Sequence, residues 1–218
     1  MDLNEICVAV EIGKGKRVKE LVNQAVEEGM PVKTILDDGL IRAMGIVGEK
    51  FRINEIYVPE MLVAARAMAM GLAILEPLLT ATGVKPVGKV VIGTVRGDLH
   101  DIGKNLVAMM MKGMGATVFD LGVDVPDHTY VEKAEEVGAD IICLSALLTT
   151  TMPAMGDIIK EFEKSGVRNK YFIMVGGAPV SQTFADQIGA DAYSPNASEA
   201  ADIAKAYLLR ISKSNNHD

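Results

Sequence analysis

The stretch from Lys89 to Lys104 carries the residues whose types and spacing could support chemistry. Its sequence, K-V-V-I-G-T-V-R-G-D-L-H-D-I-G-K, contains the pattern Asp98-x-His100-x-x-Gly103. A histidine can ligate a metal through one ring nitrogen while a carboxylate holds the other, and residues i and i+2 point the same way in an extended backbone. The pattern therefore predicts a metal-binding His100 supported by Asp98. The alternative is that Asp98 is a turn residue and His100 a loop histidine satisfied by a carbonyl.

The residues on either side of this pattern predict the elements that must position it. Residues 90–95 form a short β-branched run that is typical of a buried strand. Residues 101–114 are apolar at helical spacing, and Asp101 lies where an N-cap is expected. In an open α/β sheet, ligands bind beyond the carboxyl ends of the strands, and the pattern lies at such an end.

The composition excludes several classes of protein. The chain has 218 residues, of which 49% are hydrophobic and 23% charged, and its formal net charge is −7. This balance argues against nucleic acid or an anionic membrane as the main partner. Cys7 and Cys143 form no CxxC motif, which excludes a disulfide scaffold and a zinc-finger type of site. The start shows no signal-peptide pattern and no apolar run reaches ~18 residues, so we expect a cytoplasmic protein.

The first eighty residues predict a small bundle of helices. A short helical pattern covers residues 3–10, and longer patterns end near Gly29, Phe51 and Leu79. The segment from Thr80 to Gly88 is rich in Thr, Gly and Pro and is the expected linker between domains. We therefore predict a helical cap domain over residues 1–84 and a second domain over residues 85–218.

The second domain alternates between strand and helix. Strands are predicted at 89–95, 116–121, 139–145, 171–176 and 190–193, and helices at 101–114, 128–137, 153–164, 181–188 and 197–211. Five βα units with short connections imply a parallel sheet covered on both faces. Right-handed crossovers favour a doubly wound, flavodoxin-like α/β sheet of strand order 2-1-3-4-5.

Small and hydroxylic residues follow several strands of this predicted sheet. The third strand runs into residues 145–151, S-A-L-L-T-T-T, and the fourth ends in Gly176-Gly177, which permits close approach of a large ligand. The fifth runs into residues 194–198, a helix start that offers backbone N–H groups to an anion. Each of these features can also be explained as a helix cap or a turn. A single pocket around His100 is the simplest explanation for all of them together.

Several occupants of such a pocket can be compared. A flavin or nucleotide alone would not need the histidine, and the sequence has no G-x-G-x-x-G motif or P-loop. A receiver-type phosphoacceptor site would need clustered acidic residues and a lysine late in the sheet. In this sequence the acidic residues flank a histidine, and the late lysine is missing. A metal-bearing organic cofactor with a long tail fits better.

The chain resembles the cobalamin-binding proteins in a set of short motifs. D-x-H-x-x-G from Asp98, S-x-L from Ser145 and G-G from Gly176 are similar to the signature of corrinoid proteins and of the B12-binding region of methionine synthase. The stretch V-P-E-M-L-V-A-A-R-A-M-A-M-G-L-A-I-L-E-P-L-L resembles the helical cap that precedes that region. The layout and size resemble the stand-alone corrinoid proteins of methanol, methylamine and aryl methyl ether metabolism. Nearly the whole chain is covered, and no room remains for the substrate-binding barrels of methionine synthase.

The resemblance implies cobalamin as the cofactor and a role for each matching residue. His100 would be the lower axial ligand to cobalt, with Asp98 on its distal nitrogen. Thr151 stands where the methionine synthase pattern has a serine, and would complete a ligand–carboxylate–hydroxyl chain. Tyr57 would screen the upper methyl face. The groove for the cofactor and its nucleotide tail would be lined by Gly97, Asp101, Gly103, Ser145, Leu147, Thr149, Gly176, Gly177 and Ala197.

The function implied by the resemblance is that of a methyl carrier in one-carbon metabolism. Such a protein shuttles a methyl group on cobalt between a donor-specific methyltransferase and an acceptor methyltransferase. It would not act alone on unactivated donors, and it would need a reductive reactivation protein. The alternatives are a cobalamin-dependent sensor or regulator, and the cobalamin subunit of a carbon-skeleton mutase.

Overall fold

A computed structural model describes residues 2–83 and 86–214 and divides the chain into two compact units. The helical unit extends to Pro86 and takes in Gly113–Gly115, and the α/β unit comprises Val87–Lys112 and the residues from Ala116 onward. The predicted domain boundary between residues 84 and 85 lies outside the described residues. Each unit is described by itself below.

The helical unit consists of short helices around one long helix. Its elements are α1 (Asn4–Glu11), α2 (Gly15–Glu27), α3 (Val32–Thr34), a π-helical segment (Ile35–Ile41), α4 (Arg42–Arg52) and α5 (Val58–Ala81). Helix α5 begins with a capping contact in which the backbone N–H of Tyr57 donates to Glu60 Oε2 at 3.1 Å. Its span Val58–Leu79 is long and apolar enough to cross a membrane by length and composition.

Helix α5 provides much of the core of the helical unit. Met61, Ala64, Ala67 and Leu75 are fully or almost fully buried. At Gly71 an added Cβ would lie 2.8 Å from a methyl group of Val18, so only glycine lets α2 approach this closely. The apolar character of α5 is therefore that of a core helix.

The π-helical segment was not predicted. The sequence pattern predicts one continuous α-helix up to Phe51, but residues 35–41 are wound more widely. Here the thiol of Cys7, on α1, lies 3.3 Å from the carbonyl oxygen of Asp38 and 3.2 Å from that of Gly39. A side chain that enters the carbonyl ladder of a helix is a recognised cause of such a distortion.

The α/β unit confirms the predicted fold class. Its strands are β1 (Lys89–Thr94), β2 (Thr117–Asp120), β3 (Ile141–Ser145), β4 (Phe172–Gly176) and β5 (Ala192–Ser194). Its helices are α6 (Ile102–Gly113), α7 (Asp127–Val137), α8 (Pro153–Lys164), a 3₁₀ turn (Arg168–Lys170), α9 (Gln182–Ile188) and α10 (Ala197–Ser214). All four strand pairs are parallel, and the order is β2-β1-β3-β4-β5.

The position of β1 between β2 and β3 brings three loops to one edge of the sheet. Thr94, the last residue of β1, is paired with Ser145, the last residue of β3. The N–H of Val95 then donates to the carbonyl of Ser145 at 3.0 Å, and Val95 also forms a bridge with Val125 of the β2–α7 loop. The loops after β1, β2 and β3 are thus held side by side, and we call this edge the rim.

Candidate functional site

The pattern Asp98-x-His100 forms a compact side-chain pair in the loop after β1. Nδ1 of His100 lies 2.7 Å from Oδ1 of Asp98, and the backbone N–H of His100 donates to the same oxygen at 3.0 Å. Asp98 is 0% exposed, whereas the imidazole of His100 is 51% exposed. The loop therefore buries the carboxylate and presents the ring to the outside.

The second carboxylate oxygen of Asp98 is held by the β3–α8 loop. Oδ2 accepts hydrogen bonds from the N–H of Leu147 at 2.8 Å, the N–H of Leu148 at 3.3 Å and the hydroxyl of Thr151 at 2.7 Å. The structure thus brings together His100, Asp98 and Thr151 as a chain of hydrogen bonds. Backbone N–H groups support the carboxylate at its centre.

These contacts determine the charge of Asp98. Burial by itself would raise the pKa of the Asp98 carboxyl, but the hydrogen bonds from Thr151, Leu147 and His100 lower it well below its usual range. Asp98 is consequently an anion at neutral pH and favours the tautomer of His100 with the proton on Nδ1. That tautomer leaves the lone pair of Nε2 available to a ligand such as a metal ion.

Replacing Thr151 by valine is expected to destabilise the protein at neutral pH by about 1–3 kcal/mol, because a buried carboxylate loses a donor. A depressed pKa stabilises the fold above the pKa of the unfolded chain, about 4, and this contribution disappears as the pH falls through the folded-state pKa. The deficit of Thr151→Val should therefore be full at pH 7 and shrink in acid. Urea unfolding at several pH values measures this.

Thr151→Ser provides the matched control, since it keeps the hydroxyl and should remain close to the wild type. A valine variant as stable as the serine variant at pH 7 would contradict the role of this hydrogen bond.

Large apolar side chains surround the exposed imidazole on the α/β unit. Leu99 is 71% exposed and Ile102 73%, and both lie within two residues of His100. Leu147 and Leu148 on the β3–α8 loop, and Val123 on the β2–α7 loop, are exposed as well. Exposed apolar patches of this kind mark ligand or partner sites. The rim thus combines one accessible ring nitrogen with an apolar surface.

Two glycines near this patch have different surroundings. Gly177 has φ +137°, and an added Cβ would lie 1.8 Å from the carbonyl oxygen of Ala146. Gly103, in the first turn of α6, has no atom within 4 Å of an added Cβ. A side chain at position 177 would collide with the β3–α8 loop, while the surface over Gly103 stays open.

The remaining predicted groove residues lie along the same edge. Gly97 has φ +81° and its N–H donates to Asp124 Oδ1. Ser145 and Gly176 end paired strands, and Thr149 is exposed in the β3–α8 loop. Ala197 is buried where α10 begins.

Asp101 and Tyr57 are the other two predicted residues. Asp101 directly precedes α6, and its Oδ2 accepts a hydrogen bond from the Asn105 side chain at 3.0 Å, so the carboxylate is tied to the helix. Tyr57 belongs to the helical unit, where it is exposed at the start of α5.

Sequence reasoning missed several residues of the site. Leu99, Ile102 and Leu148 could have been noticed as large apolar residues within a polar loop. Lys104 is almost completely buried, and its Nζ lies 2.6 and 2.8 Å from the two carboxylate oxygens of Asp120. Its position on the inner side of the predicted helix over residues 101–114 was the signal that could have identified it.

The arrangement fits cobalamin on three observations. An anionic carboxylate prepares one imidazole nitrogen for a metal. Exposed leucine and isoleucine side chains suit the apolar face of a large ring system. Gly103, in the first turn of α6, leaves the surface beside His100 open.

Comparison with known proteins gives the same assignment over both units. The family described as B12 binding domain matches residues 88–204, and a second family of that description matches residues 3–76. The chain is similar to dimethylamine corrinoid protein 3 of Methanosarcina acetivorans, with 44% identity over 95% of this chain and 97% of the relative. It is also similar to a corrinoid protein of Desulfitobacterium hafniense, with 41% identity over 94% and 97%.

Solved structures extend the comparison to the fold. A cobalamin-binding protein from Desulfitobacterium hafniense DCB-2 matches with a TM-score of 0.78 and 30% identity, covering 95% of this chain and 98% of that chain. The methanol:cobalamin methyltransferase complex MtaBC from Methanosarcina barkeri matches with a TM-score of 0.85 and 30% identity, covering 95% and 79%. These findings support the predicted methyl carrier and give no support to a sensor or a mutase subunit. The chain belongs to the B12-binding corrinoid proteins.

Proposed function

We propose that the protein is a cobalamin-dependent methyl carrier that exchanges its methyl group with separate methyltransferases. The observation that carries this proposal is the exposed imidazole of His100, held by a buried anionic Asp98 and surrounded by exposed apolar side chains. Relatives that match across nearly the full length are named dimethylamine corrinoid proteins, and one solved relative is a methanol:cobalamin methyltransferase complex.

Different residues of the rim would have different roles in binding such a cofactor. Bound cobalamin would supply a cobalt centre that carries the methyl group. His100 would contact the cobalt through Nε2, while Asp98 and Thr151 fix the orientation and proton position of the ring. Leu99, Ile102 and their apolar neighbours would exclude water from this side of the ring system. The predicted groove residues would take the nucleotide tail.

The helical unit and the partners complete the proposal. We also propose that Tyr57, which is exposed on the helical unit, contacts the bound cofactor. One methyltransferase would load the methyl group and another would unload it, and a reductive protein would restore cobalt that becomes oxidised. We place this system in the cytoplasm.

The experiment is reconstitution of methyl transfer with isotope-labelled donors. The protein, loaded with cobalamin, is combined with methyltransferases that co-purify with it and with dimethylamine, other methylamines, methanol or an aryl methyl ether. We expect label to leave one donor class and reach an acceptor only when both methyltransferases and this protein are present. Transfer that proceeds equally well without the protein would contradict the proposal.

A further inference from the structure

The β2–α7 loop carries a carboxylate that binds the main chain of the histidine loop. Oδ1 of Asp124 accepts a hydrogen bond from the N–H of Gly97 at 2.7 Å. The backbone N–H of Asp124 donates to the carbonyl of Asp98 at 2.9 Å. Asp124 therefore binds on both sides of the peptide that joins Gly97 to Asp98.

The backbone of Asp124 is itself unusual. Its φ is +52°, and among the described residues only Asn54, with φ +59°, is another non-glycine residue with positive φ. Most residues with a Cβ avoid such a conformation, whereas glycine adopts it freely and Asp and Asn adopt it more readily than the others. Aspartate is thus compatible with this backbone and, unlike glycine, adds an acceptor for the N–H of Gly97.

The loop that carries Asp124 is anchored independently of His100. Asp120, at the end of β2, forms the ion pair with the buried Lys104 of α6 and also accepts the N–H of Gly122 at 2.9 Å. The carbonyl of Gly122 accepts the N–H of Thr94 at 3.0 Å, and the N–H of Val125 donates to the Thr94 carbonyl at 3.1 Å. These contacts tie both ends of the loop to β1 and α6.

Asp98 is consequently held by two different loops. The β3–α8 loop binds its carboxylate through Leu147, Leu148 and Thr151, and the β2–α7 loop binds its main chain through Asp124. The backbone N–H of Asp98 also donates to the carbonyl of Val95 at 3.1 Å, so the contacts of Asp124 at Gly97 and at the Asp98 carbonyl complete the support of the main chain that carries His100.

We propose that Asp124 is a positioning residue that helps to set the orientation of His100 by holding the main chain at Gly97 and Asp98. The inference rests on the proposed function, in which His100 contacts the cobalt of cobalamin. The β2–α7 loop would thus help to hold His100 in place, in addition to the hydrogen bonds that join His100, Asp98 and Thr151.

Two substitutions separate the side-chain contact from the backbone conformation. Asp124→Gly keeps the positive φ and the N–H donor but removes the acceptor for Gly97. Asp124→Asn keeps an oxygen acceptor and tolerates the same φ. Asn54→Gly, in the helical unit, is the matched control for placing glycine at a positive φ.

The first measurement uses the protein without cofactor. Hydrogen exchange of the Gly97 amide, followed by NMR, should accelerate by about tenfold in Asp124→Gly, as expected for the loss of one hydrogen bond. It should remain within about twofold of the wild type in Asp124→Asn and Asn54→Gly. Equal exchange in the glycine variant and the wild type would overturn the proposed contact.

The second measurement uses the protein loaded with cobalamin. In Asp124→Gly we expect the dissociation constant for cobalamin to rise by about tenfold, the lower end of the effect of losing an outer-sphere partner. The splitting by a protein nitrogen in the cobalt(II) EPR spectrum should weaken, whereas Asp124→Asn should retain both properties. An equal loss in the asparagine variant would overturn the inference, because the acceptor is still present there.

The measurements distinguish an error in the proposed function from an error in the positioning role of Asp124. Failure of the wild-type protein to bind cobalamin would overturn the proposed function and the role of Asp124 within it. Normal binding by the wild type together with unchanged affinity and spectrum in Asp124→Gly would overturn only the positioning role.

Discussion

Replacement of His100 by alanine is expected to weaken cobalamin binding by at least about 10-fold, because losing the ligand should cost no less than losing one of its outer-sphere partners, and to remove the splitting by a protein nitrogen from the cobalt(II) EPR spectrum. The imidazole is held by the Asp98 carboxylate and is half exposed on the rim. Without it, the protein retains the apolar surface and the groove but offers no nitrogen in this position. Titration with cobalamin and EPR of the reduced complex measure the two effects.

The variant should remain folded, which makes the spectrum interpretable. Asp98 keeps its hydrogen bonds from Leu147 and Thr151 and from the backbone N–H at position 100. His128 provides a matched control, because it is an exposed histidine on α7 of the same unit. The His128→Ala variant should have the same affinity for cobalamin and the same cobalt spectrum as the wild type. A folded His100→Ala protein with an unchanged cobalt spectrum would refute the assignment of the axial ligand.

The α/β unit could be predicted from sequence because its signals are local. The β-branched run of β1 was expected over 89–95 and forms at Lys89–Thr94, and α8 was expected over 153–164 and forms there. Short connections and right-handed crossovers then leave few possible strand orders. The order 2-1-3-4-5 is confirmed. Periodicity and turn residues were sufficient for these elements.

The details that sequence could not provide depend on contacts between distant residues. The π-helical segment at residues 35–41 coincides with contacts to the thiol of Cys7 on another helix, which no local pattern encodes. Lys104 is buried because Asp120, on the neighbouring strand, pairs with it. Asp124 was passed over because an aspartate before Val-Pro is an ordinary turn residue until its partner Gly97 is known.

The residues of the site likewise fall into those that local sequence could predict and those that only the structure shows. Asp98 and His100 could be paired from sequence because the i, i+2 spacing in an extended loop makes their side chains neighbours. Thr151 lies 53 positions from Asp98, and only the resemblance to methionine synthase suggested it. The structure places its hydroxyl 2.7 Å from the carboxylate, and it adds the two backbone donors of Leu147 and Leu148. Main-chain donors carry no signature in the residue types.

The purified protein, loaded with cobalamin and reduced to cobalt(I), is expected to take a methyl group from methyl iodide but not from methanol, methylamines or aryl methyl ethers. Iodide is a good leaving group, whereas the oxygen and nitrogen donors must be activated by a proton or a metal ion. Leu99, Ile102, Leu147 and Leu148, the large apolar side chains exposed beside His100, have no proton to give, and the described residues hold no group of three or more His, Cys, Asp or Glu that could bind a metal ion. Activation is therefore expected from a separate methyltransferase.

Loss of the methyl group should depend on a partner in the same way. Cys7 and Cys143 are buried, and burial raises the pKa of both thiols, that of Cys143 to about 12. Neither is a thiolate at neutral pH, so neither thiol is expected to accept the methyl group within the chain. The protein methylated by methyl iodide should keep its label until an acceptor methyltransferase and its substrate are added.

The assay follows the absorption of the corrinoid with each donor, first without and then with the donor methyltransferase. Addition of the cognate methyltransferase should raise the rate by at least about 100-fold, the lower range of what general acid catalysis contributes. Methyl iodide is the positive control, because it should react at a similar rate in both conditions. If the protein alone demethylated an unactivated donor at the rate seen with the methyltransferase present, it would be a complete methyltransferase, and the carrier function would be wrong.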